Sequence, residues 1–456
     1  MHCQIRTITT ALALSFAGAS LAAVSAEEAK QLGTTLTPWG AIKAGNADGS
    51  IPAYTGPIKP PASFDPKNPG HRPDPFADEK PLFSIDAKNM DQYADKLSEG
   101  IKAMLKQYPT YRLDIYPSHR TANYPQHYLE NTTKNATDCK TRDKELKLDG
   151  CWRGLPFPIP KTGNEVMWNR LLKYDGYSLY TRGAASLVVD SRGDVTATGI
   201  PDFWMYYPIF DPTKTTPIAP QEPYEKIRLD YSGPARKAGE RLVVHDNVDM
   251  VDIGRRAWSY LPGQRRVKLS PDLAYDTPSP TGGGAATVDD SAVFYGALDR
   301  FDFKLIGKKE MYIPYNNYRV RDPKVCPSKV ALTKNHLNPD CVRWELHRVW
   351  VVEAMVKPGL RHMYTKRTFY WDEDLPGVGL ADNYDAAGKI YRASHSLPIT
   401  LYDIVGHSTD EWVTYDLQTG VYTRQMDATE TGGWVEIPPK PESFFASEAL
   451  SGAGIR

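Results

Sequence analysis

The stretch RWELHRVWVVEAMV, Arg343 to Val356, decides how the chain is read. Side chains of a strand alternate between two faces. That places Trp344, Leu346, Trp350, Val352, Ala354 and Val356 together, with Arg348 as the one interruption. Arg343, Glu345, His347 and Glu353 fall on the other side, with Val349 and Val351 among them. A helix would scatter both sets, so the segment is a long strand with one largely apolar, aromatic face.

The same texture continues on both sides. Beyond Tyr174, SLVVDSRGDVTATG, WSYLPGQRRVKL, FDFKLIGKKEMYI, MYTKRTFYWDED, DNYDAAGKIYRA and WVTYDLQTGVYTRQM are rich in β-branched and aromatic residues and carry compact turn signals. Gly388 and Gly420 stand where a hairpin needs positive φ, and Pro262-Gly263 suits a type II turn. Trp258 and Tyr260 share one strand face, and so do Phe369 and Trp371. A sheet this aromatic is either covered by helices or hollow enough to hold something. No repeat of fixed period occurs, which argues against a propeller.

The N-terminal part is different. Arg6, the apolar run TTALALSFAGASLAAV and the small residues VSA read as an export signal over residues 1–26, cleaved near Ala26. Residues 27–83 form a Gly- and Pro-rich strap, with nine prolines between Ile51 and Pro81. Residues 84–173 form a helical, cysteine-bearing region. There Tyr93, Leu97, Ile101, Met104 and Tyr108 recur at helical spacing, with Asn89 and Gln92 as a capping pair, and the helix ends before Pro109. NEVMWNRLLKY reads as a short helix, residues 174–430 as an antiparallel β domain and 431–456 as a tail.

The charges balance, 55 basic against 55 acidic residues, so no strong field points to nucleic acid. After export four cysteines are left. Neighbour pairing, Cys139 with Cys151 and Cys326 with Cys341, gives two structural disulfides, because the tight pairs of a zinc site are absent. Histidines are scattered singly, and neither metal nor cofactor is expected. Catalytic signatures are missing too: GHSTD lacks the second glycine of a nucleophile elbow, and PTGGGAAT lacks the ending of a phosphate loop. The chain is expected not to be an enzyme. Arg255, Arg256, Arg265 and Arg266 cluster at the ends of one hairpin, as a charged strand edge or as a contact for a lipid head group or acidic partner.

Four segments, LTPWGAIKAGNADGSIPAYTG, GRRAWSYLPGQRRVK, SPDLAYDTPSPTGGG and LHRVWVVEAMVKPGLRHMYTKRTFYWDED, occur in order between about Gly33 and Met426. Together they resemble a family of exported Gram-negative proteins known as a domain of unknown function and described as outer-membrane lipoprotein-sorting-like. The resemblance implies the fold of Lol-type periplasmic lipoprotein carriers, a half-open antiparallel β-barrel whose concave face is covered by helices. Trp258, Tyr260 and Pro262 match the Trp-x-Tyr-x-Pro hairpin of those carriers. It further implies a periplasmic protein that binds or transfers a lipid or other hydrophobic molecule, with an inner-membrane RND-type exporter and an outer-membrane barrel protein as partners. The chain departs from a simple carrier in its length, its strap and its lack of a lipidated cysteine.

On this reading the cavity aromatics are Trp258, Tyr260, Trp344, Trp350, Phe369 and Trp371, and the helix of Tyr93, Leu97, Ile101 and Met104 is a lid on the concave aromatic face. Two rival readings stand beside it: a hydrolase of a polysaccharide or lipid using Asp or Glu as acid and base, and an envelope adaptor that binds no ligand.

Overall fold

A computed structural model describes residues 24–271 and 273–452; the expected export signal lies almost wholly outside the described residues. All the segments read as strands form strands, organised as two antiparallel meanders. The first runs through β1 (Ala185–Val189), β2 (Val195–Tyr206), β3 (Pro223–Gly233), β4 (Arg241–Asn247), β5 (Arg255–Leu261) and β6 (Arg266–Leu269). The second runs through β7 (Phe301–Pro314), β8 (Trp344–Val356), β9 (Lys366–Asp372), β10 (Gly379–Tyr384), β11 (Ile390–Ser396), β12 (Trp412–Asp416) and β13 (Tyr422–Asp427).

Within each meander every strand pairs with the next. The meanders join edge to edge where β13 pairs antiparallel with β1, Tyr422 opposite Val189. Four short strands flank this array, and one of them, Leu113–Ile115, adds a parallel contact at Trp344. No ladder links β6 to β7 among the described residues, so the sheet is large, mainly antiparallel and not closed. The expected half-open barrel is met only as one great curved sheet.

Residues opposite each other in a ladder share a face, which fixes the two sides of the sheet. On the concave side Trp350 faces Trp371 and Val352 faces Phe369. There α3 (Gly163–Leu171) packs: Trp371 donates to Met167 Sδ at 3.4 Å, and the Arg170 guanidinium lies 5.1 Å from the Trp371 ring. The convex side of the second meander carries α1 (Glu99–Gln107), whose first turn is held by Asp382 on β10. α2 (Gln126–Asp138) ends at Cys139, which is disulfide-bonded to Cys151; Cys326 is bonded to Cys341, so both expected pairs form.

The expected single helix over the Tyr93–Met104 stripe is broken. Met90–Lys96 is a 3-10 helix, Leu97 is extended, and α1 starts afresh at Ser98, whose hydroxyl caps the Ile101 amide at 3.2 Å. Asp382 accepts from the Ser98 hydroxyl and from the Glu99 and Gly100 amides, all at 2.9 Å. A buried carboxylate that satisfies several orphan amides is a stronger start signal than Asn89, which makes no cap. α1 therefore sits on the face opposite the one expected. A Cβ at Gly100 would meet Asp382 Oδ1 at 2.4 Å, so the contact is too close for any side chain there.

The strap is pinned rather than loose. Asn46 turns the chain through bonds to Ile51, whose side chain is buried, while Arg348 donates to Ala44 O at 3.0 Å and Tyr54 to Ala122 O at 2.8 Å. Gly40, at φ +91°, lies where a Cβ would fall 1.6 Å from Pro158 O.

Candidate functional site

The concave face of the first meander is hollow. A cavity of about 190 Å³ lies between strands β2 to β4 and the segment that links β6 to β7. Its walls are apolar: Phe203 and Met205 from β2, Ile227 and Leu229 from β3, Leu242 and Val244 from β4. Alternation selects these residues, because the intervening Lys226, Arg228 and Asp230 point to the convex side. The link covers them with Leu273, Pro280 and Val288, and β12 and β13 contribute Trp412 and Gln425.

One end of the cavity is charged. Glu225 on β3 is 4% exposed, and both Glu225 and Asp246 accept from the single hydroxyl of Tyr295. Asp246 also takes the Arg255 Nε–H at 2.7 Å, and Arg255 Nη1 donates to Leu273 O at 3.1 Å. Asp410 lies alongside, 3.1 Å from the Lys173 ammonium, which it shares with buried Asp175. Burial, then the charges of Asp410 and Asp246, push the Glu225 carboxyl up to about 7. Burial and Asp410 likewise raise Asp175 to about 7, against the pull of Lys173. Asp410 itself stays below its ordinary value, since Lys173 and Arg170 outweigh its burial. The Tyr207 hydroxyl and Arg255 Nη2 have no hydrogen-bond partner among the described residues. A second cavity, of about 210 Å³, lies on the other side of Arg255 and Leu273.

The residues expected to hold a ligand stand elsewhere. Phe369 and Trp371 are core beneath α3 and its neighbours, 0% and 1% exposed, and Trp344, 2% exposed, packs on the His395 ring at 5.6 Å. Trp350 is half-buried under the Lys308 ammonium, 4.4 Å from its ring. Trp258 and Tyr260 lie opposite Val243 and Arg241, on the convex face, where Trp258 meets the His245 ring at 5.2 Å. The C-terminal segment covers this face: His245 bonds Phe445 O, and Phe444 packs on Trp204. Tyr93 stacks on Phe83, and Leu97, Ile101 and Met104 are buried on the convex side of the second meander. Of the four arginines, Arg255 reaches the cavity floor, while Arg256, Arg265 and Arg266 are exposed on the hairpin. In that turn Arg265, at φ +48°, takes the left-handed position in place of Gly263.

One group has metal-ligand composition: His347, Asp372 and Asp374 bring ligand atoms within 4.8 Å of one another. They are already engaged. His347 Nε2 faces Glu345 at 3.1 Å and Nδ1 faces Asp372 at 3.4 Å, while Asp374 takes two bonds from Arg120. Burial opposes its charge, but the two carboxylates raise His347 to about 9, so both ring nitrogens carry protons and neither offers a lone pair. No helix of the described residues is long and apolar enough to cross a membrane.

Comparison with known proteins agrees with the family expected from the motifs. An uncharacterized protein of Pseudomonas aeruginosa is 41% identical over 463 residues, covering 98% of each chain. Among solved structures, a putative outer membrane lipoprotein-sorting protein domain from Vibrio parahaemolyticus is 13% identical with a TM-score of 0.41, covering 63% of this chain and 97% of its own. A DUF1329 family protein from Desulfovibrio piger is 14% identical with a TM-score of 0.39, covering 60% and 91%. A LolA superfamily protein from Nitrosomonas europaea is 9% identical with a TM-score of 0.34, covering 64% and 100%. Since the family described as "Protein of unknown function (DUF1329)" matches residues 84–451, most of the sheet and the whole cavity, the chain belongs to that family.

Proposed function

We propose that the protein binds one hydrophobic molecule in the cavity under β2 to β4, without chemical change, as an exported component of the cell envelope. The cavity carries this reading: apolar walls with a few convergent polar groups at one end suit an apolar ligand. Its volume, about 190 Å³, exceeds the roughly 150 Å³ of an engineered apolar cavity that holds benzene. That is room for one chain or ring system rather than the several acyl chains of a lipoprotein. Two disulfides fit an oxidising compartment. In the finer form of the reading the ligand is a lipid passed between an RND-type exporter and an outer-membrane barrel protein.

Native mass spectrometry of protein prepared from the periplasm tests this. A ligand-sized adduct lost on solvent extraction, and absent from the cavity-filling variant Leu229→Trp, is the expected result. A protein that carries no adduct and does not bind an apolar fluorescent probe refutes it.

A hydrolase has one observation in its favour: the raised Glu225 and the lowered Asp410 at the same floor are the kind of pair that divides acid and base roles. Turnover of nitrophenyl esters or glycosides that disappears in Glu225→Gln would replace the binding reading with this one.

A further inference from the structure

We infer that the molecule held in this cavity is a single-chain amphiphile that enters head first and buries an uncharged hydroxyl at the Glu225–Arg255 floor. The inference rests on the binding reading above and specifies the ligand's chemistry.

The direction follows from exposure. Along β3 the lining residues pass from buried Glu225 and Ile227 to half-buried Leu229 and Tyr231, and Pro280, which also lines the cavity, is exposed, which places a mouth at the end away from Glu225; Arg255, Tyr295 and Asp410 at the charged end are half-buried. A ligand's polar end therefore either stays at the mouth or meets the floor. The floor is short of a partner: Arg255, which lines the cavity, has its Nη2 bonded to nothing among the described residues. Leaving such a group unpaired costs about 1–3 kcal/mol, which a ligand head can recover.

The head's charge follows from the groups that face it. Glu225 from β3, Asp246 from β4 and Asp410 ahead of β12 supply three carboxyls. Against them stand Arg255, bonded to Asp246, Lys173, divided between Asp410 and Asp175, and Arg170, whose charge acts on Asp410 and which donates to Ala292 O. A carboxylate or phosphate would find each cation already engaged with a carboxylate or carbonyl and would lie against the Glu225 and Asp410 carboxyls, where low polarisability magnifies repulsion. The phenolic proton of Tyr295 cannot serve Glu225 and Asp246 at once, so one carboxyl keeps its own proton. Burial of Glu225 beside Asp246 and Asp410 makes it the holder.

An ammonium head would suit the carboxyls but offers no acceptor to the guanidinium, which can only donate. A hydroxyl does both, accepting from Arg255 Nη2 and donating to the Glu225 oxygens. It is the smallest head that satisfies both sides of this floor.

The test uses delipidated full-length protein and three probes of equal chain length, 1-decanol, decanoate and decylamine, in displacement of an apolar fluorophore near neutral pH. Decanol is expected to bind about tenfold more tightly than either charged probe, the loss of one or two good hydrogen bonds. Arg255→Met should weaken decanol and bring decylamine within about threefold of it, while decanoate, with the nearest guanidinium gone, stays the weakest of the three, with circular dichroism reporting the fold. If that variant does not fold, Arg255→Lys, which keeps the charge but removes Nη2, serves instead. It should weaken decanol by about threefold or more and leave decane unchanged. Decanoate or decylamine binding as tightly as decanol overturns the hydroxyl assignment and leaves the cavity's function standing. Failure of all three probes and of decane to displace the fluorophore refutes the binding reading itself.

Discussion

The two meanders belong to one sheet and present the same kind of inward, alternating face, yet one is filled and the other hollow. Over the second, α3 brings Met167 and Arg170, both fully buried, against Trp371. Beside them Asp289 and Asp290 from the link meet Arg367 at 3.2 and 2.9 Å, and Tyr364 donates to Asp290 at 2.7 Å. Over the first meander the same link leaves a cavity beneath it. Its inner side there is Val288, Ser291 and Ala292, small residues that roof a space rather than plug it. The backbone changes course between these roles: Ala292 and Val293 take φ of +46° and +73°, a conformation that β-branched residues rarely adopt. Coverage of a concave sheet is thus set by what crosses it. One six-residue turn serves both halves, with carboxylates on one side and small apolar groups on the other.

The largest effect should come from breaking the filled half. Asp290→Ala leaves Arg367 and Arg392 buried with less compensation, and equilibrium unfolding in urea should show a loss of about 3–5 kcal/mol. If the loss is under 1 kcal/mol, the ion pairs are not what fills this half.

Next comes pH, because two sets of buried carboxyls titrate in opposite senses. In the filled half, against the effect of burial, His347 and Arg343 hold Glu345 down to about 2, and Arg367 and His362 hold Asp289 there too. Their stabilisation is complete above the unfolded values near 4 and is lost as pH falls toward 2. Glu225 behaves the other way: its folded value, about 7, lies above its unfolded value, so the folded state binds the extra proton. Stability should therefore fall between about pH 4.5 and 7, by an amount of order 3 kcal/mol from this group. Glu225→Gln should shrink that limb of the stability profile, leaving the part that Asp175 and Asp382 supply, and leave the acid limb below pH 4 in place. An unchanged neutral limb would mean that Glu225 is not among the titrating groups.

A smaller effect is expected from truncating the hollow half. Leu229→Ala removes a side chain that already borders open space, so unfolding should cost about 1 kcal/mol, against about 3–5 kcal/mol for Phe369→Ala in the filled half. Equal losses would mean that the two faces are packed alike. Smallest of all, Arg265→Ala and Arg266→Ala on the exposed hairpin should shift stability by less than about 0.5 kcal/mol.

Much of the sheet was legible because turn chemistry and alternation are local. WSYLPGQRRVKL and DNYDAAGKIYRA became the hairpins they spell, and neighbour pairing of the cysteines held. Which face becomes the inside was not legible. In β8 both faces are buried at the N-terminal end, Trp344, Leu346 and Arg348 on one side and Glu345, His347 and Val349 on the other, so hydrophobicity does not tell inside from outside. Trp258 and Tyr260 turned outward because a tail residue pair nearly two hundred positions away, Phe444 and Phe445, supplies their half of the molecule with an outer cover. The cavity strands β3 and β4 were overlooked. YEKIRLDY alternates polar and apolar from Lys226 to Tyr231, inward Ile227, Leu229 and Tyr231 against outward Lys226, Arg228 and Asp230, with Glu225 as the charged residue on the inward side. Their modest aromatic content hid them beside the Trp-rich strands. In PDFWMYYPIF the same rule puts Phe203 and Met205 in the cavity and Trp204 on the outside.

The single seam between the meanders, β13 against β1, sets an order of events in biosynthesis. β1 is among the first strands of the sheet to leave the ribosome and its partner among the last, with more than half the chain between them. Until β13 arrives, the first meander carries a bare edge beside an apolar hollow, a combination that invites pairing with other chains. A chain cut short after β11 would keep that edge for good. Such fragments should aggregate even though each meander is a continuous run of hairpins, and late-acting protection by chaperones or rapid clearance would be needed wherever synthesis or export stalls in the last hundred residues or so.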